Sequence, residues 1–143
     1  MKFSDLEEIK SSCTELGVSC VEFQSPHATH FIEAAFSKFK PFKTTGHLQI
    51  GGNCKSLALD PHEFTYSKLL DGRPIGVVLD QNRHRDGTIQ LPDNRRLCDV
   101  FNNAYGIEYF AIDMDLRFMF AVNWYVIQFA DPEGTLASLG FPR

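Results

Sequence analysis

The sequence predicts an α+β fold: a mainly antiparallel sheet ending in a three-stranded meander, with about four helices packed on it. Three observations lead there. Helix start and stop signals are interspersed with strand-like runs, but hairpin signals appear twice, which breaks the strict strand–helix alternation of a doubly wound parallel sheet. The final third, from Ile107 to Ala130, holds three consecutive strand-like runs separated only by turn residues. Alternation within those runs is weak and both faces carry large apolar groups, so helices should cover at least one face of the sheet.

The helices announce themselves by their ends. Ser4-Asp5-Leu6-Glu7 is a capping box, Leu6, Ile9, Cys13 and Leu16 follow at helical spacing, and Gly17 is a stop. Ser25-Pro26 is a second start signal, and Ala28, Phe31, Ile32, Ala35, Phe36 and Phe39 form one apolar face before Pro41 ends the run. Asp60-Pro61-His62-Glu63 opens a third helix, through about Leu70, with Gly72 behind it. Asp93 caps a fourth, carrying Leu97, Val100, Phe101 and Ala104, with Gly106 as its stop.

Strands fill the intervals. Val18–Gln24 reads as one, and His47–Ile50 with Cys54–Leu59 reads as a hairpin about Gly51-Gly52-Asn53. Pro74–Leu79 looks buried, Gln81–Gly87 is polar and turn-like, and Thr88–Leu91 is a short strand. The meander runs Ile107–Ile112, Arg117–Val122 and Trp124–Ala130, turning at Asp113-Met114-Asp115-Leu116 and near Asn123. The tail from Pro132 to Arg143 is expected to lie on the surface as coil or a short helical turn.

At 143 residues, the length suits one domain spanning 1–143, with a core large enough to stand without disulfides or metals. Hydrophobic residues make up 43% and charged residues 22%, and the 13 Phe forecast an aromatic core. The formal charge of −4 is the wrong sign for a general nucleic-acid binder, which replaces phosphate counterions with Lys and Arg. No run is long and apolar enough for a membrane span, and Met1–Lys10 lacks the apolar stretch of a signal peptide. Cys13, Cys20, Cys54 and Cys98 include no Cys-x-x-Cys pair, which favours reduced thiols and a cytoplasmic address.

No catalytic residue, metal site or cofactor is assigned. Asn82-Arg83-His84-Arg85-Asp86-Gly87 places a His near an Asp, the pairing of a general base with its orienting carboxylate, but polar loops collect such residues freely. Asp113-x-Asp115 resembles a divalent-cation pair, and equally suits a turn in which Asp bonds the local backbone. His27 and His30 share a helix face without a third ligand in sequence reach. Cys54, after a Gly-Gly turn, is the most interesting thiol, although a nucleophile also needs a base and a lowered pKa. Arg73, Arg83, Arg85, Arg95 and Arg96 concentrate positive charge. Residues 107–143 are acidic, with Glu108, Asp113, Asp115, Asp131 and Glu133 against Arg117 and Arg143. That polarity is compatible with a protein-binding surface.

The segment from Glu108 to Phe129, EYFAIDMDLRFMFAVNWYVIQF, resembles the closing meander of small bacterial immunity proteins that neutralise polymorphic or contact-dependent toxins. The shared pattern is a strand, an acidic turn, an aromatic strand ending in Asn, and a last apolar strand. The resemblance implies a protein-binding inhibitor that occludes a cognate toxin's active site with an acidic, shape-matched surface. Candidate contacts are Glu108, Asp113 and Asp115, with Tyr109 or Trp124 as aromatic anchor if either is exposed; the plain alternative for Trp124 is the core. The competing reading is a small ligand-binding or enzymatic domain whose pocket is lined by Phe31, Phe36, Phe110, Phe118 and Phe120, with His47, Glu63, His84 or Asp113 as polar groups.

Overall fold

A computed structural model describes residues 4–52, 54–104 and 106–142. Seven strands, β1 (Val21–Glu22), β2 (Lys55–Ala58), β3 (Ile75–Leu79), β4 (Thr88–Leu91), β5 (Tyr109–Asp113), β6 (Met119–Val122) and β7 (Val126–Ala130), form one sheet. Its order is β1-β4-β3-β5-β6-β7-β2, and every neighbouring pair is antiparallel. The helices are α1 (Asp5–Leu16), α2 (His27–Phe39), α3 (Leu59–His62), α4 (Leu97–Asn103) and α5 (Thr135–Ser138). The α+β class and the closing meander stand as expected. None of the described helices is long and apolar enough to cross a membrane.

Both faces of the sheet are covered, which explains the weak alternation. Val77, Ile89, Tyr109, Ala111, Phe120 and Val122 join Ile9 and Cys13 of α1 and Leu97, Val100 and Phe101 of α4 in one core. The intervening residues Val78, Phe110, Ile112, Met119 and Ala121 pack against Ile32, Ala35 and Phe39 of α2, and against Leu48 and Ile50 of the following loop. A strand buried on both faces has no polar side to reveal its period. Gly76 is the close-approach point: a Cβ there would stand 2.7 Å from a Phe31 ring carbon, so its absence lets α2 lie down on β3.

The capping signals act locally as read. Ser4 Oγ accepts from Glu7 N–H at 3.2 Å, Gly17 closes α1 at φ +67°, and Asp93 Oδ1 accepts from Arg95 N–H at 2.9 Å. At Ser25-Pro26 the helix starts one residue later than expected, at His27, and has no side-chain cap.

Four expectations are corrected. Lys55–Ala58 pairs with β7, not with 47–50, whose partner is the preceding segment: Phe42 N–H donates to Ile50 O at 2.9 Å, and Lys43 and Gln49 exchange bonds of 3.0 Å. Asn53 of the expected hairpin turn lies outside the described residues. The third helix breaks at Asp60 and Pro61, whose φ/ψ are not helical, and resumes as a 3-10 turn over Tyr66–Leu69. The first strand shrinks to Val21–Glu22. The tail forms the expected short helical turn, α5, but it is not only superficial, since Leu136 and Phe141 are buried in the core shared with Phe120 and Phe129.

Candidate partner-binding site

The β6–β7 turn is built around Asn123. Its Oδ1 accepts from Tyr125 N–H (2.8 Å) and Val126 N–H (2.9 Å), and its Nδ2 donates to Leu48 O (3.0 Å). The buried amide thus satisfies the turn and ties it to the 42–50 loop, while the next two side chains are thrown outward. Trp124 is 60% and Tyr125 70% exposed. Exposure of two adjacent large aromatics is uncommon unless they have a partner.

Glu108 fixes this pair from below. Its carboxylate accepts from Leu48 N–H (3.0 Å) and Trp124 N–H (3.2 Å) and meets His47 Nδ1 at 2.8 Å. The His47 ring stands edge-on to both aromatics, with centroids 5.5 Å from Trp124 and 5.0 Å from Tyr125. His47 adopts a left-handed φ of +46°, a conformation held by its neighbours: Gly46 N–H donates to Asp80 Oδ2 at 2.7 Å. The Trp124 indole N–H reaches Gly106 O at 3.0 Å. The three rings therefore form an oriented patch.

Beside Trp124 lies a depression of about 420 Å³, lined by Leu59, Glu63, Phe64, Asn102 and Gly106. Burial pushes the Glu63 carboxyl above its ordinary pKa, and among the described residues no basic side chain pairs with it.

The five residues expected at the partner surface do not converge. The β5–β6 and β6–β7 turns sit at opposite ends of the meander, because Tyr109 faces Val122 while Ile112 faces Met119. Trp124 is exposed, not core. Glu108, only 10% exposed, organises the patch without presenting its charge. Tyr109 is corrected to a core residue: its ring stacks on Phe101 at 3.7 Å, its hydroxyl bonds Tyr66 at 2.7 Å, and burial drives both phenol pKa values up. Asp113 is corrected likewise. At 1% exposure it accepts from the backbone of Asp115 and Arg117 and holds the Arg117 guanidinium at 2.7 and 2.8 Å. Asp115 is exposed and pairs with Arg73 at 2.9 Å. His47 and Tyr125 were not singled out as partner contacts. Neither carries a signal in the sequence: the exposure of Tyr125 comes from the turn that Asn123 builds and not from strand alternation.

The remaining candidates resolve into structure. His84 is mostly buried with Nε2 3.4 Å from Asp5, and Asp86 accepts from Thr29 Oγ1 at 3.2 Å. Arg73, Arg95 and Arg96 are each paired to an aspartate, which breaks up the expected positive cluster. Among the described residues, no group of three His, Cys, Asp or Glu side chains is placed to hold a metal. Cys13 is buried, and burial together with neighbouring Cys20 pushes its thiol up to about 12. Burial also raises Cys98, which donates to Glu63 O.

The aromatic pocket of the competing reading is not where it was expected. Phe110, Phe118 and Phe120 are packed solid in the core, with Phe36 edge-on to Phe110 at 5.4 Å. A groove of about 880 Å³ opens instead where β2 meets β7, lined by Phe39, Phe42, Ile50 and Phe129 among others, with no histidine among its described lining residues.

No family model, curated protein or solved structure matches this chain.

Proposed function

We propose that this chain is a protein-binding inhibitor, an immunity protein that neutralises a cognate toxin by occluding its active site, and that Trp124 and Tyr125 anchor the complex. The observation that carries the reading is the outward display of these two rings on a turn fastened by Asn123 and Glu108. Trp and Tyr are the residues most enriched where binding energy concentrates, and an anchor ordered before binding loses little entropy on docking.

Charge supports the same partner class. A chain of net charge −4 attracts a basic protein and speeds its capture. The depression beside Trp124 suits a partner's Arg or Lys, since an indole face and a desolvated carboxylate both favour a cation. The proposed surface keeps Trp124 and Glu108 of the expected set and leaves out the Asp113–Asp115 turn at the opposite end of the meander.

The test is co-expression with the product of the adjacent upstream gene, read by pull-down and growth rescue. A one-to-one complex that restores growth is expected. Trp124→Ala with Tyr125→Ala should weaken it by about 30-fold or more, the cost of losing a hot-spot residue. Asp115→Ala should leave binding close to wild type. Absence of both complex and rescue sinks the inhibitor reading; a complex indifferent to the double substitution moves the anchor elsewhere.

A further inference from the structure

The groove at the β2–β7 end of the sheet is separate from the aromatic patch, since β7 runs from Val126 beside the turn to Ala130 at the groove. Its volume of about 880 Å³ falls in the range of small-molecule sites. Phe39 and Ile50 contribute apolar walls, and Phe42, 77% exposed, forms a lip. The lip is built in. Gly51, at φ +74°, lies so close that a Cβ there would be 3.0 Å from the Phe42 Cβ, and Phe42 N–H is bonded to Ile50 O.

Polar groups at the groove are unevenly satisfied. Lys38 is committed to Glu133 at 2.9 Å and to the carbonyl of Leu116. Lys40 and Lys55 also line it, and among the described residues no carboxylate pairs with either. Asp131 is tied into the fold, its Oδ2 accepting from Ala137 N–H at 2.9 Å, so it leaves the two lysines as the free charges of the groove.

We infer that this groove binds an elongated amphipathic anion, with an apolar body against Phe39, Phe42 and Ile50 and a carboxylate-type head taken by Lys40 and Lys55. The sign follows from local charge. Three lysines face two carboxylates there, so the groove is positive on a protein that is negative overall. Apolar burial supplies affinity, and the two uncommitted ammonium groups select the anion.

Isothermal titration of the whole chain with dodecanoate, below its micellar concentration, tests the inference. Saturable one-to-one binding is expected. Dodecyltrimethylammonium, with a similar body and the opposite charge, should bind about tenfold more weakly or worse. Lys40→Gln with Lys55→Gln should lower affinity for the anion by about tenfold. Both side chains are exposed, so the variant should keep the wild-type circular dichroism and thermal midpoint. No saturable binding, equal binding of the cation, or undiminished affinity in the folded double variant overturns the inference. Growth rescue does not enter this test, so its result is independent of the inhibitor reading.

Discussion

Asp113 shows how a charged residue in an acidic turn becomes part of the framework. Four hydrogen bonds converge on a carboxylate that solvent barely reaches, three of them from Arg117, whose guanidinium also bonds Asp71 at 2.9 Å. Burial alone would raise Asp71, but hydrogen bonds from Arg117 and Asn94 more than offset it and hold that carboxyl below its usual range. Asp113→Ala removes the central acceptor and leaves Arg117 with one partner, so a loss of about 3–5 kcal/mol is expected in urea unfolding. A residue used only for partner contact would show unchanged stability with weakened binding. The cysteines give a second prediction at this scale. Cys13 and Cys98 are buried with raised thiol pKa values, while Cys20 and Cys54 are partly exposed. Native-state labelling at pH 8 should modify Cys20 and Cys54 alone, and mass spectrometry should find the other two only after denaturation.

Among the elements, the 42–50 loop joins the sheet to the aromatic patch. Residues in or beside the meander strands hold it at three points: Glu108 accepts from Leu48 N–H, Asn123 donates to Leu48 O, and Gln128 Oε1 accepts from Ile50 N–H at 2.8 Å. Glu108→Ala releases the buried Leu48 amide and the Trp124 amide together, which should cost about 1–3 kcal/mol. Trp124 is the sole tryptophan, so the same variant should show lower fluorescence anisotropy if the patch is ordered from below. This element also marks how far local pattern reaches. Runs of β-branched and aromatic residues placed β3 through β7, and caps placed α1 and the 3-10 turn Asn94–Arg96 that leads into α4, because those signals lie within a few residues of what they specify. The 47–59 hairpin failed because Gly51-Gly52 turns the chain without joining two paired strands. The true partner of Lys55 is Phe129, far along the chain, and no local periodicity encodes such a pairing. The site was half legible for the same reason. Trp124 and Glu108 stood out by type and position, whereas His47 reaches them only through the fold.

Across the whole molecule, the last turn of chain closes the core. β2 and β7 leave the aromatic layer open at one end of the sheet, and α5 brings Leu136 and Phe141 into it. Phe141 lies 5.6 Å from Phe120 and 5.7 Å from Phe129, ring to ring, and its N–H donates to Leu136 O at 3.0 Å. Asp131 anchors the start of the segment through Ala137 N–H. Read as a surface tail, the segment would tolerate substitution within about 0.5 kcal/mol. Closing the core, Phe141→Ala should cost about 3–5 kcal/mol, the range for emptying a buried aromatic site. For a chain of this size each kcal/mol moves the midpoint by about 2–4 °C, so thermal unfolding should fall by roughly 6–20 °C. Phe141 packs within the core while Trp124 is held by Glu108 and Gly106, so Trp124 anisotropy below the transition should match wild type. A small thermal shift would return the tail to the surface, and a large one with unchanged anisotropy would separate the element that closes the core from the element that displays the rings.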